Sequence, residues 1–289
     1  DAFTTATGIG VAVRYAGTGE LATTLVAEGD ATPADVFWAQ DPAFIGGIAK
    51  QGLLTPLPED ILSLVPERFA DGNGRWVGVT ARARVFVHIT YLVTEDELPA
   101  SVWDLVEPEW AGRFGVAPTN GSFVAFVTGM ILEEGEDRTR QWLEGIAAND
   151  PVIFDGNGAI VDAVVAGDLE GGLVNHYYLL QRINELGEVP AANHFFPDGD
   201  PGGLVMATGA GILAASDRSE EAADLIRHLL SVESQAHFLS LFEYPLIEGA
   251  GTPDGQLPLA ELPTLDISLT DTADTLDAAL ALIAESGLS

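Results

Sequence analysis

No cysteine occurs in the 289 residues, so the chain has no disulfide framework, no thiolate metal site and no cysteine nucleophile, and its redox compartment stays open. Lysine is nearly absent too: Lys50 is the only one, and lysine and arginine together number 12 against 44 acidic residues. The resulting net charge of −32 repels nucleic acid and anionic membrane surfaces and draws cations in. A solvated acidic surface accounts for this charge without any cation site. Hydrophobic residues make up 47% of the chain, yet no uninterrupted run reaches the roughly 18 residues of a membrane span, and Gly and Pro punctuate it throughout. Asp1 opens with neither a basic segment nor an apolar stretch of the export-signal kind, so a signal or anchor is expected to lie outside this chain. Nucleophile elbow, P-loop, dinucleotide fingerprint and His-Glu zinc motif are all missing, which argues against an enzyme.

What is present is an alternation of strand and helix patterns over a length that suits two domains. Residues 8–15 alternate Ile9, Val11 and Val13 as a strand does, and 18–28 follow with a helical pattern. Residues 35–38 read as a buried strand that runs into Gln40 and Asp41, with Asp41 a candidate N-cap and Pro42 a first helical residue. Turn chemistry at 71–74 precedes a long strand over 76–90, expected to break near its middle, and a helix is expected over 96–111. Further helices are expected after 118–122, after 154–158, over 219–230, 231–241 and 270–286, with strands at 113–117 and 204–213.

Three groups carry candidate chemistry. At 171–180 an apolar strand turns into a helix where Tyr177 and Tyr178 follow His176, and neighbours in a first helical turn diverge by about 100°, which lets adjacent phenols share a cleft. Tyrosine pairs more commonly pack as wall residues with their hydroxyls hydrogen-bonded, so the pair alone decides nothing. Arg82 and Arg84 share a strand face and need an anion or a carboxylate nearby; surface acids are the plainer partner. The loop Thr119, Asn120, Gly121, Ser122 and the loop around Asn157 each open a helix, where free backbone N–H groups can seat an anion, although such loops are usually ordinary capped turns.

Several segments resemble the ferric-ion-binding branch of the family 1 extracellular solute-binding proteins that feed ABC importers. They are Ala34-Asp35-Val36-Phe37, Gly74-Arg75-Trp76-Val77-Gly78-Val79, the stretch 107–113, Gly156-Asn157-Gly158, Asn175-His176-Tyr177-Tyr178 and Phe242-Glu243-Tyr244-Pro245. The resemblance implies an α/β, two-lobe periplasmic-binding-protein fold of type II, each lobe a mixed sheet flanked by helices, with ligand in the interlobe cleft. It implies a first lobe of residues 1–84 and 208–258, whose opening strand would precede Asp1, and a second lobe of 85–207 and 259–289. Tyr177 and Tyr178 match the paired iron-binding tyrosines. Asn157 and Asn175 match asparagines that help hold a synergistic anion, carbonate or phosphate, and Thr119, Asn120, Gly121 and Ser122 fall at the anion loop; Arg82, Arg84 and Asp41 are further candidates there. Gln40 stands where well-known members place an iron-binding glutamate, and its amide is a weaker, neutral donor. A histidine ligand of some members would lie before Asp1, and His176 reads as structural. The implied protein is extracytoplasmic and monomeric, takes Fe(3+) with its anion and delivers it to a membrane permease. The alternative is a sibling that binds a small anion without iron.

Overall fold

A computed structural model of the chain describes residues 2–288. The chain forms two compact units: Asp1–Ala81, Ala207–Pro253 and Ser268–Ala273 make the first, and Arg82–Met206, Asp254–Ile267 and Asp274–Ser289 the second. The return of 268–273 to the first unit goes beyond the division expected from sequence, and side-chain contacts explain it. Thr270 Oγ1 accepts from Gly72 N at 2.9 Å, and Gly46 lies so close to this segment that an added Cβ would stand 2.7 Å from Ala273 Cβ.

Eight strands occur among the described residues: β1 (Val36–Ala39), β2 (Val77–Ile89), β3 (Phe114–Val116), β4 (Val152–Ile153), β5 (Gly171–Asn175), β6 (Ala191–His194), β7 (Val205–Ile212) and β8 (Tyr244–Pro245). In the first unit β1 runs antiparallel to β7, with Val36 opposite Ile212, and the early part of β2 runs antiparallel to β8, with Thr80 opposite Pro245. Buried Gln235, on the helix Val232–Ser240, ties this unit together. Its Nε2 donates to the Val79 and Leu229 carbonyls, and its Oε1 accepts from Leu246 N at 2.8 Å. Asp41 caps the helix Pro42–Lys50 as expected, its Oδ1 accepting from Phe44 N at 3.1 Å, with Pro42 in the first turn.

In the second unit the later part of β2 pairs antiparallel with β5 on one side and β6 on the other, while β3 is parallel to both β5 and β4. The order β6-β2-β5-β3-β4 is therefore a mixed sheet. Helix Gly121–Glu134 buries most of its length, and Phe126 meets Trp142 edge-on at 5.5 Å between ring centroids. Rings of this size each contribute roughly 2–3 kcal/mol by burial.

Three sequence expectations change. Residues 8–17 form no strand: Val11 and Val13 are exposed and no strand among the described residues pairs with them, while Ala2–Thr7 is a short helix. The expected helix over 96–111 is instead three 3₁₀ turns, Glu95–Glu97, Val102–Val106 and Pro108–Trp110. Pro99 and Pro108 forbid a continuous helix, and capping boxes at Thr94 and Ser101 start short turns of their own. Strand β2 does not break; it exchanges partners, from β8 at Ala81 to β5 at Arg84, which lets one unbroken strand serve both units. No helix among the described residues is long and apolar enough to cross a membrane.

Candidate functional site

The second unit brings most of the candidate residues together. Strand β5 is confined to small residues at its start: a Cβ on Gly172 would lie 2.4 Å from Ile160 Cγ2 and 2.9 Å from the Gly115 carbonyl oxygen. The strand ends at Asn175, and the helix Tyr177–Leu186 begins almost at once. His176 sits at that junction with no exposure; its backbone N–H donates to the Ala83 carbonyl at 3.0 Å and its ring Nδ1 accepts from Ala83 N at 3.3 Å. The imidazole thereby locks the helix start to β2. Tyr177 and Tyr178 then stack on each other, centroids 4.4 Å apart and planes 26° from parallel, Tyr177 buried and Tyr178 half-buried.

Arg84 is the electrostatic centre of this group. It is 1% exposed, and Nη1 donates to Asn175 Oδ1 at 3.2 Å and Ser122 Oγ at 3.3 Å. Its Nε and Nη2 are buried with no hydrogen-bond partner among the described residues. The guanidinium also stands 5.5 Å from the Phe126 ring centroid. Surface acids were the plainer expectation for this arginine, but its hydrogen-bond partners are neutral. Burial pulls its pKa down from the ordinary arginine value to about 9, Arg82 alongside adds to the fall, and the phenols of Tyr178 and Tyr177 oppose it. At neutral pH it is therefore a desolvated cation with two unused donors, a costly arrangement that an anion would relieve.

Two helix starts converge on the same residues. Asn120 Oδ1 accepts from Ser122 N at 2.9 Å and from Ser122 Oγ at 2.7 Å, so this helix caps itself. Ser122 Oγ in turn accepts from Asn157 Nδ2 at 3.0 Å. The helix Asn157–Ala166 begins after Gly156 with no side-chain cap, which leaves its first N–H groups available. A Cβ on Gly158 would come within 3.9 Å of Tyr178 Cδ1, so the helix start also borders the tyrosine. Thr119 is exposed and Gly121 is the first residue of its helix. Arg82 is as deeply buried as Arg84. Gln40 and Asp41 belong to the first unit: Gln40 is exposed just beyond β1, and Asp41 is the cap described above.

Sequence reasoning missed Asn193. Its Nδ2 donates to the His176 carbonyl at 2.8 Å and steadies the helix start from β6, a strand too short and polar to stand out in the sequence.

Residues 31–266 match the family described as bacterial extracellular solute-binding protein. The chain is 32% identical to the Fe(3+)-binding periplasmic protein of Serratia marcescens over 294 residues, covering all of this chain and 86% of that protein. It is 31% identical to the major ferric iron-binding protein of Neisseria meningitidis over 293 residues, covering all of this chain and 88% of the relative. The crystal structure of iron-bound HitA from Pseudomonas aeruginosa superposes with a TM-score of 0.95 at 36% identity, covering 99% of this chain and 93% of that one.

Proposed function

The chain belongs to the bacterial extracellular solute-binding protein family, a family of transport proteins and not of enzymes, and we propose that it captures ferric ion outside the cytoplasm and delivers it to the membrane permease of an ABC importer. The observation that carries this reading is the stacked Tyr177–Tyr178 pair beside a buried Arg84 with unused donors. Ferric ion is hard and highly charged and prefers oxygen donors, and its field favours the phenolate over the phenol. Two phenolates leave most of an octahedral sphere unfilled. A synergistic anion such as carbonate or phosphate, seated by Arg84, Ser122, Asn157 and Asn175, supplies further oxygen and neutralises the arginine at the same time. Gln40 offers at most a neutral amide oxygen, so binding here leans on that anion more than in relatives with a glutamate. A single copy of the chain suffices.

The test is to titrate the metal-free protein with chelated ferric ion, with and without carbonate or phosphate, and to follow the visible absorption of ferric phenolate. A band that strengthens with the anion supports the proposal. The buried arginine also favours a second reading, an anion-binding relative that takes no iron; tight anion binding to metal-free protein with no band under any anion would establish that reading instead.

A further inference from the structure

Three Asn-Gly pairs occur in the chain: Asn73-Gly74, Asn120-Gly121 and Asn157-Gly158. Such a pair is chemically labile, because glycine has no Cβ to shield its backbone nitrogen from the carboxamide carbon of the residue before it. When the glycine nitrogen attacks Cγ, a new N–C bond closes a succinimide ring, the bond from Cγ to Nδ2 breaks, and ammonia leaves with the proton of the glycine N–H. Solvent water then opens the ring at one carbonyl to give aspartate, or at the other to give isoaspartate, whose backbone runs through the former side chain and is one methylene longer. Water is the only other reactant.

Tertiary structure ranks the three pairs. Asn157 is 2% exposed, its Nδ2 donates to Ser122 Oγ at 3.0 Å, and it is the first residue of the helix Asn157–Ala166. Asn120 caps the helix Gly121–Glu134, its Oδ1 accepting from both the N–H and the hydroxyl of Ser122. In each, closing the ring would pull the carboxamide off its partners and turn the following glycine out of a first helical turn.

Asn73 has neither restraint. It is exposed, and its carboxamide makes no hydrogen bond among the described residues. The attacking nitrogen is held by a turn hydrogen bond, from Gly74 N to the Asp71 carbonyl at 2.8 Å, and an exposed turn opens at lower free energy than a helix start packed in the core.

This turn is also a junction. The Gly74 carbonyl accepts from Leu57 N at 2.8 Å, Asp71 Oδ2 accepts from Arg75 N at 2.9 Å, and Asp71 N donates to the Trp76 carbonyl at 3.0 Å just before β2 begins. An extra methylene between residue 73 and Gly74 upsets the spacing that these bonds share. We propose that Asn73 is a site of spontaneous deamidation in the folded protein, and that its isoaspartyl form loosens the turn that leads into β2.

The experiment ages the whole folded chain at mildly alkaline pH and follows the three Asn-Gly peptides by digestion and mass spectrometry, with chromatography to part aspartate from isoaspartate. A second sample aged in denaturant gives the rates without tertiary structure. In the folded protein Asn73 should convert at least about ten-fold faster than Asn120 or Asn157, the ratio that a difference of about 1.4 kcal/mol in opening free energy imposes; in denaturant the three should convert alike. The parent's melting temperature should fall as isoaspartate accumulates, whereas Asn73→Gln, whose longer side chain closes the corresponding ring far more slowly, should hold its value. Equal rates at the three pairs in the folded protein, an Asn73 that stays intact there while converting in denaturant, or an equal fall of melting temperature in Asn73→Gln would overturn the proposal.

Discussion

Arg84 and Asn175 stand directly opposite each other across β2 and β5, and Nη1 of the one donates to Oδ1 of the other at 3.2 Å. Register alone thus sets a buried cation beside the last residue of the strand that leads into the tyrosine pair.

Arg84→Gln removes this charge while keeping a hydrogen-bonding amide. Phosphate should raise the melting temperature of the parent, by mass action on the folded state, and have a much smaller effect on the variant. Asn175→Ala should fall between them. The sign with pH follows from the arginine's depressed value: the unfolded chain holds this proton more tightly, so parent stability should rise as pH climbs past about 9. The phosphate effect should be full through neutral pH and fade over the same range. A phosphate shift of equal size in parent and Arg84→Gln would remove Arg84 from the anion site.

Tyr177→Phe and Tyr178→Phe each delete one oxygen and keep the stacked ring. Each should sharply weaken ferric binding and its visible band while costing only about 1 kcal/mol of stability, the scale of one hydrogen bond. Parallel metal titration and thermal melts check this. Parent-like metal binding would return the tyrosines to the role of pocket walls.

Gly172→Ala tests the packing beneath the site. Its Cβ meets backbone at Gly115, which cannot rotate away, so a loss of about 1–3 kcal/mol is expected from overpacking. Denaturant unfolding measures it, and an unchanged midpoint would show that β5 can shift at little cost.

His88 should make the fold acid-sensitive. Burial, with His194 beside it, lowers its pKa, while the Ala192 hydrogen bond and Glu95 partly restore it. A histidine whose folded value is depressed takes up its proton more readily when unfolded, so stability should be full above the ordinary value of 6.5 and fall as pH drops below it. His194 contributes in the same direction, against Asp200 and the Pro99 carbonyl. Melting temperatures of His88→Asn should decline less on acidification than those of the parent; equal slopes would assign the acid sensitivity elsewhere.

Local chemistry was legible in the sequence wherever it is settled within a few residues. The Asp41 cap, Pro42 in the first turn, the helix start at Tyr177 and the helices Ser219–Leu229 and Val232–Ser240 all follow from capping and periodicity. The α/β class follows from their alternation, and the family resemblance rests on short motifs of the same local kind. Where two signals competed, the local pattern misled: an apolar rhythm over 96–111 lost to Pro99 and Pro108, and the alternation of Val11 and Val13 found no strand to pair with. Tertiary structure decided the rest, because it depends on which distant groups meet. That Arg84 faces Ser122 and Asn175 and not a carboxylate, that His176 spends its Nδ1 on Ala83, and that Asn193 reaches the His176 carbonyl are all consequences of which strands and helices meet. A strand's side-chain period of two states which residues share a face; it carries no information about what the neighbouring strand sets opposite them, and the partner decides whether a buried charge is quenched or left to bind.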